Sequence, residues 1–257
     1  MNDTVGRLLE GRTALVTGGS RGIGAATARA LGRNGASVAV NYLSNRQAAT
    51  DVVHSIELDG SKAVAVQGDV CDPHQAAELV WQAGELLGDI EILVCNAVGG
   101  PPVFRGTALD SGHEIQARAD AQLRATLNVC RLVAPAMRAA RSGSIVFVGS
   151  SESRSSGPVV ADIAVAKAAQ DALMCVLAAE LGPAGVRVNT VAPGFVPTDG
   201  SAASGRPALL DALIEATPLR RIAQAEDVAD AIVALSSDLT RHITGAYLPV
   251  DGGQIMH

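Results

Sequence analysis

The sequence predicts an α/β fold, a single doubly wound parallel sheet with helices on both faces. Two observations predict it: short β-branched runs alternate with helical stretches along the chain, and several of these runs are continuously apolar. Alternation of this kind is typical of parallel strands joined by helical crossovers. Continuous apolar runs, such as residues 14–16 and 145–148, are expected where helices cover both faces of a sheet.

Seven strands are predicted within one domain that spans residues 1–257. The length suits one large α/β domain, because a sheet of this size buries a substantial core without dividing in two. Hydrophobic residues make up 48% of the chain and charged residues 18%, which excludes the composition of a disordered protein. The predicted strands are residues 13–17, 37–41, 63–67, 90–95, 144–148, 186–191 and 246–249.

Charge and cysteine content exclude several classes of partner. The formal net charge is -6 and the arginines are scattered, so we expect no nucleic-acid partner. Residues 1–10 lack the apolar core of a signal peptide, and no apolar run reaches the ~18 residues that a membrane span needs. We therefore expect a cytoplasmic protein without a membrane partner. The four cysteines lie far apart in sequence, which indicates small buried side chains and no metal site.

A glycine-rich turn follows the first predicted strand. Residues 17–24 read Thr-Gly-Gly-Ser-Arg-Gly-Ile-Gly and open an alanine-rich helix. Glycines at such a turn let the backbone approach a pyrophosphate, and the amino terminus of the helix favours the anion. A glycine-rich stretch alone is a weak signal, but its place between a strand and a helix is the context that a dinucleotide site requires.

The end of the second strand indicates which dinucleotide is bound. An NAD site usually offers a carboxylate to the ribose 2′-hydroxyl at this place, whereas this chain has Asn41 followed by Tyr42. Ser44, Arg46 and Arg21 would surround a 2′-phosphate with hydrogen-bond donors and positive charge. The sequence therefore predicts that NADP(H) is preferred over NAD(H).

Motifs along nearly the whole chain carry a family resemblance. They are residues 17–24, Gly68-Asp69-Val70, Asn96-Ala97, Gly149-Ser150, Lys167, Asn189, Pro193-Gly194 and Val250-Asp251-Gly252-Gly253. Together they resemble the classical short-chain dehydrogenase/reductase family, close to the ketoacyl-carrier-protein reductase type. The resemblance implies a Rossmann fold, a nicotinamide cofactor, a small-molecule substrate and a homotetramer.

The resemblance and the two motifs above give a set of candidate cofactor-binding residues. By resemblance, Asp69 and Val70 contact the adenine, Asn96 and Ala97 line the ribose, and Lys167 binds the nicotinamide ribose. The full set is Gly18, Ser20, Arg21, Gly22, Ile23, Gly24, Asn41, Tyr42, Ser44, Asp69, Val70, Asn96, Ala97, Lys167, Pro193, Gly194, Val196 and Thr198.

The chain departs from the family at the position of the catalytic acid. Members carry a tyrosine four residues before the active-site lysine, and this chain has Ile163 there. Gln122 stands where the family has an asparagine that supports a water relay to the lysine. Val98 and Cys95 flank the Asn96-Ala97 pair, where the family has Asn-Asn-Ala-Gly. The candidate catalytic residues are therefore Ser150, Lys167 and Gln122.

Three functions remain open at this point. The leading hypothesis is hydride transfer from NADPH to a conjugated carbonyl or quinone, as in aromatic polyketide tailoring, with Ser150 bonded to the acceptor oxygen and Lys167 supplying positive charge. A second is a protein that keeps the cofactor pocket without redox chemistry, as a cyclase, an aldolase or a partner of another enzyme. A third is an NADP(H)-binding sensor.

Other side chains near the missing tyrosine are weaker candidates. Arg118 lies one helical turn before Gln122, where a guanidinium could stabilise an oxyanion; the alternative is a surface or interface ion pair. Asp162 is expected to face elsewhere, because adjacent helix positions point about 100° apart. His113 could reach over the site as an acid from the start of the helix that carries Arg118, but a solvated histidine at the edge of a loop is the expected case. Residues 195–222, which include a short predicted helix at 208–216, are expected to form a substrate lid.

Overall fold

A computed structural model describes residues 7–98, 108–154, 161–198 and 210–256. Seven strands form one sheet in which all neighbouring strands are parallel. They are β1 (Thr13–Val16), β2 (Ser37–Tyr42), β3 (Ala63–Gln67), β4 (Ile92–Cys95), β5 (Gly143–Val148), β6 (Val186–Pro193) and β7 (Tyr247–Val250). Their order across the sheet is β3-β2-β1-β4-β5-β6-β7. The predicted fold class is confirmed.

All seven predicted strands are present, with ends that differ from the prediction by at most two residues. The largest extension is at β6, which continues to Pro193. The central strands β1 and β4 are buried along their whole length, as their continuous apolar runs predict. Chain order reverses direction between β1 and β4, and the crevice at such a reversal is where open α/β sheets bind ligands.

Seven α-helices lie within the described residues. They are α1 (Gly22–Arg33), α2 (Arg46–Leu58), α3 (Pro73–Leu87), α4 (Gly112–Ala140), α5 (Ala161–Leu181), α6 (Leu210–Ala216) and α7 (Ala225–Ser236). The side chains of Asn45 and Asp72 accept hydrogen bonds from the first turns of α2 and α3. Such caps satisfy amide groups that have no partner within the helix.

Helices cover both faces of the sheet and form two cores. Val16 of β1 packs in the core with Leu31 of α1 and Ile232 of α7. Its neighbour Leu15 points to the opposite face and packs in the core with Phe147, because successive side chains of a strand alternate between faces. α3, α4 and α5 close that second core. Both cores support the same sheet edge, where the strands end.

Helices α4 and α5 run in the same direction, because each connects two parallel strands of one sheet. Gln170 Nε2 donates to Thr126 Oγ1 at 2.9 Å, which pairs residues 44 apart in sequence. The same offset places Asp162 opposite Arg118. Positions four apart share one helix face. On each helix, three buried residues at this spacing lie in the contact. They are Arg118, Gln122 and Thr126 on α4, and Asp162, Ala166 and Gln170 on α5.

The predicted environment of the cysteines is wrong at one position. Cys95 and Cys130 are buried and Cys71 is partly buried, as expected, but Cys175 is exposed on α5. The described residues contain no cluster of three His, Cys, Asp or Glu side chains that could hold a metal. Within the same ranges, no helix combines the length and the hydropathy needed to cross a membrane.

The predicted lid lies only partly within the described residues. The helix expected at 208–216 is present as α6, from Leu210 to Ala216. Residues 199–209 lie outside the described ranges. The lid therefore stays a prediction.

Candidate active site and cofactor site

The glycine-rich loop is packed against the end of β4. Gly18 has φ +61 and Gly22 has φ +54, a conformation that residues with a side chain rarely adopt. A Cβ at Gly24 would lie 2.3 Å from the carbonyl oxygen of Gly18 and 2.5 Å from Asn96 Nδ2. Only glycine at this position therefore allows the loop and α1 to pack this closely. This cradle fits the pyrophosphate of a dinucleotide at the amino terminus of α1.

Gly24→Ala is expected to abolish dinucleotide binding and to lower the free energy of unfolding by about 1–3 kcal/mol, because overpacking displaces backbone. Gly84→Ala is the matched control. A Cβ at Gly84 meets nothing within 4 Å, so alanine should raise stability by roughly 0.5–1 kcal/mol through its higher helix propensity. Chemical denaturation and NADPH titration measure both variants. Equal stability of the two would contradict this account of the loop.

Asn96 holds the glycine loop to β4. Its Nδ2 donates to the carbonyl oxygens of Thr17 at 2.9 Å and Gly18 at 3.0 Å. The backbone amides of Asn96 and Ala97 both donate to Thr17 Oγ1 at 3.0 Å. Asn96 and Ala97 thus lie beside the loop, at the place where the resemblance puts the cofactor ribose.

The structure revises the roles given to Asn41 and Tyr42. Asn41 is only 2% exposed, and its side chain faces inward. Its Oδ1 accepts from the amide of Gly18 at 3.0 Å, and its Nδ2 donates to the carbonyl of Gly68 at 2.9 Å. Asn41 therefore shapes the glycine loop and has no amide directed to solvent, while Tyr42 is buried in the core. Ser44, Arg46 and Arg21 are exposed. Of the residues predicted to contact a 2′-phosphate, these three therefore remain accessible to it.

The remaining predicted cofactor residues lie at ends of strands on the same sheet edge. Asp69 and Val70 follow β3, and Asp69 Oδ1 accepts from the amide of Cys71 at 2.8 Å. Gly194 follows β6, and a Cβ there would lie 2.9 Å from Asp251 Cβ. A Cβ at Gly22 would meet Thr198 Cγ2 at 3.2 Å. The loop after β6 therefore closes directly on the glycine loop after β1.

Lys167 is buried in the α4–α5 contact behind this edge. Its Nζ donates to the carbonyl oxygen of Val148 at 2.6 Å and to Gln170 Oε1 at 3.0 Å. The pKa of Lys167 is lowered to about 8, first by burial and then by the charge of Arg118, against the opposing effects of Asp171 and Cys95. Gln170 was missed by the sequence analysis; its signal is an amide three residues after Lys167 and four after the buried Ala166, on the buried side of the helix.

Ser150 is half-buried at the end of β5. Its Oγ accepts from the amide of Glu152 at 3.2 Å, and its carbonyl oxygen accepts from the hydroxyl of Tyr247 at 3.1 Å. Tyr247 comes from β7 and carries the guanidinium of Arg154 over its ring at 3.7 Å. Burial raises the pKa of Tyr247, so this phenol stays protonated. Its support of Ser150 was also missed by the sequence analysis.

Comparison with known proteins identifies the family. Residues 18–254 match the family model described as "Enoyl-(Acyl carrier protein) reductase". The chain is 37% identical over 257 residues to an L-rhamnose 1-dehydrogenase (NAD(P)(+)) of Sphingomonas sp. (strain SKA58), with 98% of this chain and 99% of that protein covered. It belongs to the short-chain dehydrogenase/reductase family.

Two further members of the family support the assignment. A 3-oxoacyl-[acyl-carrier-protein] reductase of Staphylococcus epidermidis is 33% identical over 251 residues, with 95% of this chain and 99% of that protein covered. The structure of a 7α-hydroxysteroid dehydrogenase complexed with NADH and 7-oxo glycochenodeoxycholic acid matches with a TM-score of 0.89 at 31% identity, covering 100% and 99% of the two chains. The chain is therefore an oxidoreductase of the short-chain dehydrogenase/reductase type.

Ile163 and Gln122 are the positions at which the sequence predicts departures from the family's catalytic pattern. Ile163 is half-buried near the start of α5, one helical turn before Lys167. Gln122 is 1% exposed, and its Nε2 donates to the carbonyl of Ala97 at 3.3 Å. Gln122 therefore connects α4 to the segment beside the glycine loop.

The surface alternative for Arg118 is wrong. Arg118 is 6% exposed and Asp162 is 3% exposed, and the two face each other across the α4–α5 contact. Burial lowers the pKa of Arg118, while the charge of Asp162 raises it. Asp162 does point away from Ile163, but toward α4 rather than into solvent. His113 is exposed at the start of α4, as expected for a solvated histidine.

Proposed function

We propose that this short-chain dehydrogenase/reductase transfers hydride from NADPH to a conjugated carbonyl or a quinone. The observation that carries the proposal is Ile163, which stands at the position of the family's tyrosine acid while Ser150 and Lys167 are retained. Polycyclic aromatic ketones and quinones, as occur in aromatic polyketides, belong to this class of acceptor. We propose that residues 195–222 close over the acceptor and that the protein works in the cytoplasm as a homotetramer.

The acidity of the product explains why such an acceptor needs no tyrosine. Hydride addition to a simple ketone forms an alkoxide whose conjugate acid has a pKa of about 16, close to that of water. Addition to a quinone forms a phenolate whose conjugate acid has a pKa of about 10, like that of tyrosine. At 1.36 kcal/mol per unit, this difference favours the phenolate by roughly 8 kcal/mol. A positioned acid supplies about 3–5 kcal/mol, which is less.

Ser150 and Lys167 have separate roles in this proposal. In a quinone the hydride adds to one carbonyl oxygen, the ring becomes aromatic, and the electron pair moves to the other oxygen as a phenolate. In a conjugated carbonyl compound the hydride adds to the β-carbon, and the electron pair moves to the carbonyl oxygen as an enolate. The Ser150 hydroxyl donates a hydrogen bond to that oxygen, in the manner of an oxyanion-hole donor. Lys167 holds the nicotinamide ribose and supplies positive charge nearby. Solvent protonates the released phenolate.

The preference for NADP(H) rests on exposed residues beside the end of β2. Ser44, Arg46 and Arg21 are exposed there, and two guanidinium groups favour a 2′-phosphate over a 2′-hydroxyl. The described neighbours Asn41 and Tyr42 add no carboxylate that would repel the phosphate.

The proposal is tested by NADPH oxidation against quinones and matched non-quinone ketones, under nitrogen to suppress redox cycling. We expect consumption with quinones, slower or no consumption with the ketones, and lower affinity for NADH than for NADPH. Consumption with ketones alone would overturn the acceptor class. Binding of NADPH without consumption by any acceptor would favour a non-redox cyclase, aldolase or sensor instead.

A further inference from the structure

The ammonium of Lys167 is anchored by two acceptors inside the fold. One is the carbonyl oxygen of Val148 at 2.6 Å, and the other is Gln170 Oε1 at 3.0 Å. Lys167 is 6% exposed and Gln170 is 0% exposed. An ammonium has three donors, so among the described residues these two bonds leave one N–H of Lys167 for a ligand.

The orientation of the Gln170 amide is fixed by Thr126 on α4. The hydroxyl of Thr126 donates its only proton to the carbonyl oxygen of Gln122 at 2.9 Å. Thr126 Oγ1 can therefore only accept from Gln170, whose Nε2 lies 2.9 Å away. With its NH₂ group committed to Thr126, Gln170 must present its oxygen to Lys167.

The charged groups that face Lys167 come from α4 and α5. Arg118 on α4 disfavours a second cation, whereas Asp171 on α5 favours the charged lysine. The thiol of Cys95 on β4 also faces Lys167, but burial raises the pKa of that thiol well above its usual value, so it stays neutral. Burial is the largest influence, and the combined effect of burial and these neighbours is a pKa of about 8 for Lys167. Because this buried ammonium already has a lowered pKa, the loss of either hydrogen-bond acceptor would favour the neutral amine.

We propose that Gln170 is a positioning residue for Lys167, oriented by Thr126, which keeps the ammonium charged and directed for the cofactor. The inference rests on the proposed cofactor role of Lys167 but not on the identity of the acceptor. A series of hydrogen bonds thus connects α4 to the lysine. It runs from the carbonyl of Gln122 through the Thr126 hydroxyl and the Gln170 amide to Lys167.

The test is the pH dependence of NADP⁺ and NADPH affinity, which requires no turnover. In the unsubstituted protein, affinity should fall as pH rises through about 8, because the ammonium loses its proton there. The cofactor's 2′-phosphate titrates near pH ~6 in every variant, so the alkaline part of the profile reports Lys167. A hydrogen bond to a charged group changes a protonation equilibrium by about tenfold or more.

Gln170→Met removes the acceptor and should move the alkaline fall to lower pH by about one unit. Gln170→Glu places a carboxylate beside the ammonium and should move it to higher pH. Thr126→Val frees the Gln170 amide to rotate. The pH at which cofactor affinity falls should therefore shift in the same direction as in Gln170→Met, but by less. Thr126→Ser restores the hydroxyl and should restore the wild-type profile.

Met174→Leu is the control for general disturbance of α5, since Met174 is buried one turn further along the same face and should leave the profile unchanged. Opposite shifts for the Met and Glu variants at Gln170 would support the inference, even if no quinone is reduced. Affinity that drops equally at all pH values, shifts of the same sign, or no NADP(H) binding by the unsubstituted protein would overturn it, even if turnover is found.

Discussion

Ile163→Tyr is expected to raise the rate of reduction of simple ketones by roughly 10²–10⁴-fold, the usual contribution of one positioned acid. Quinone reduction should stay within a few-fold of the wild-type rate. The reason is that a phenol at this position can protonate an alkoxide, whereas a phenolate product needs no proton in the transition state. Residue 163 lies one helical turn before Lys167 on α5, so the new hydroxyl would lie near the ammonium and could acquire a lowered pKa from it.

Ile163→Phe separates the proton from the ring. Phenylalanine supplies the same bulk without the hydroxyl, so it should leave ketone reduction slow. Steady-state rates for matched ketones and quinones, with NADPH saturating, measure the three proteins. Equal gains on both acceptor classes would show that the tyrosine acts by packing or binding. A gain on quinones alone would refute the account of the missing acid.

The sequence predicts the fold and the glycine loop well because their determinants are local. A continuous apolar run identifies a strand covered on both faces, and β1 and β4 are buried throughout. The glycine loop is equally local: the residue at position 24 must lack a side chain, because a Cβ there would meet the loop's own backbone at 2.3 Å. The local order of apolar residues and glycines is therefore enough to predict these elements.

Side-chain partners were harder to predict, because they come from distant segments. Asn41 was expected to face a 2′-phosphate, but its amide is engaged by Gly18 and Gly68. The hydroxyl of Tyr247 reaches the carbonyl of Ser150 across 97 positions of sequence. No local pattern predicts such a pair, since it depends on how β7 is placed against the end of β5.

Lys167→Met should weaken NADPH binding by at least about tenfold and lower turnover by about 10²-fold or more, since it removes the charge at the nicotinamide ribose and beside the reacting oxygen. Methionine keeps most of the buried volume of the side chain. NADPH titration and quinone reduction rates measure the two effects. Unchanged turnover, with a product of the same oxidation state as the substrate, would instead establish the non-redox function.

The same variant should change how stability depends on pH. The pKa of Lys167 falls from 10.5 to about 8 on folding, so between these values the unfolded chain binds the proton and the folded chain does not. Unfolding free energy therefore rises with pH in this window, by up to about 3 kcal/mol, while the penalty on the buried charge is fully present below it. Lys167→Met has no such group, so its unfolding free energy should not show this rise. Denaturant unfolding of both proteins across this window measures the difference, and parallel profiles would show that Lys167 titrates alike in the folded and unfolded chains.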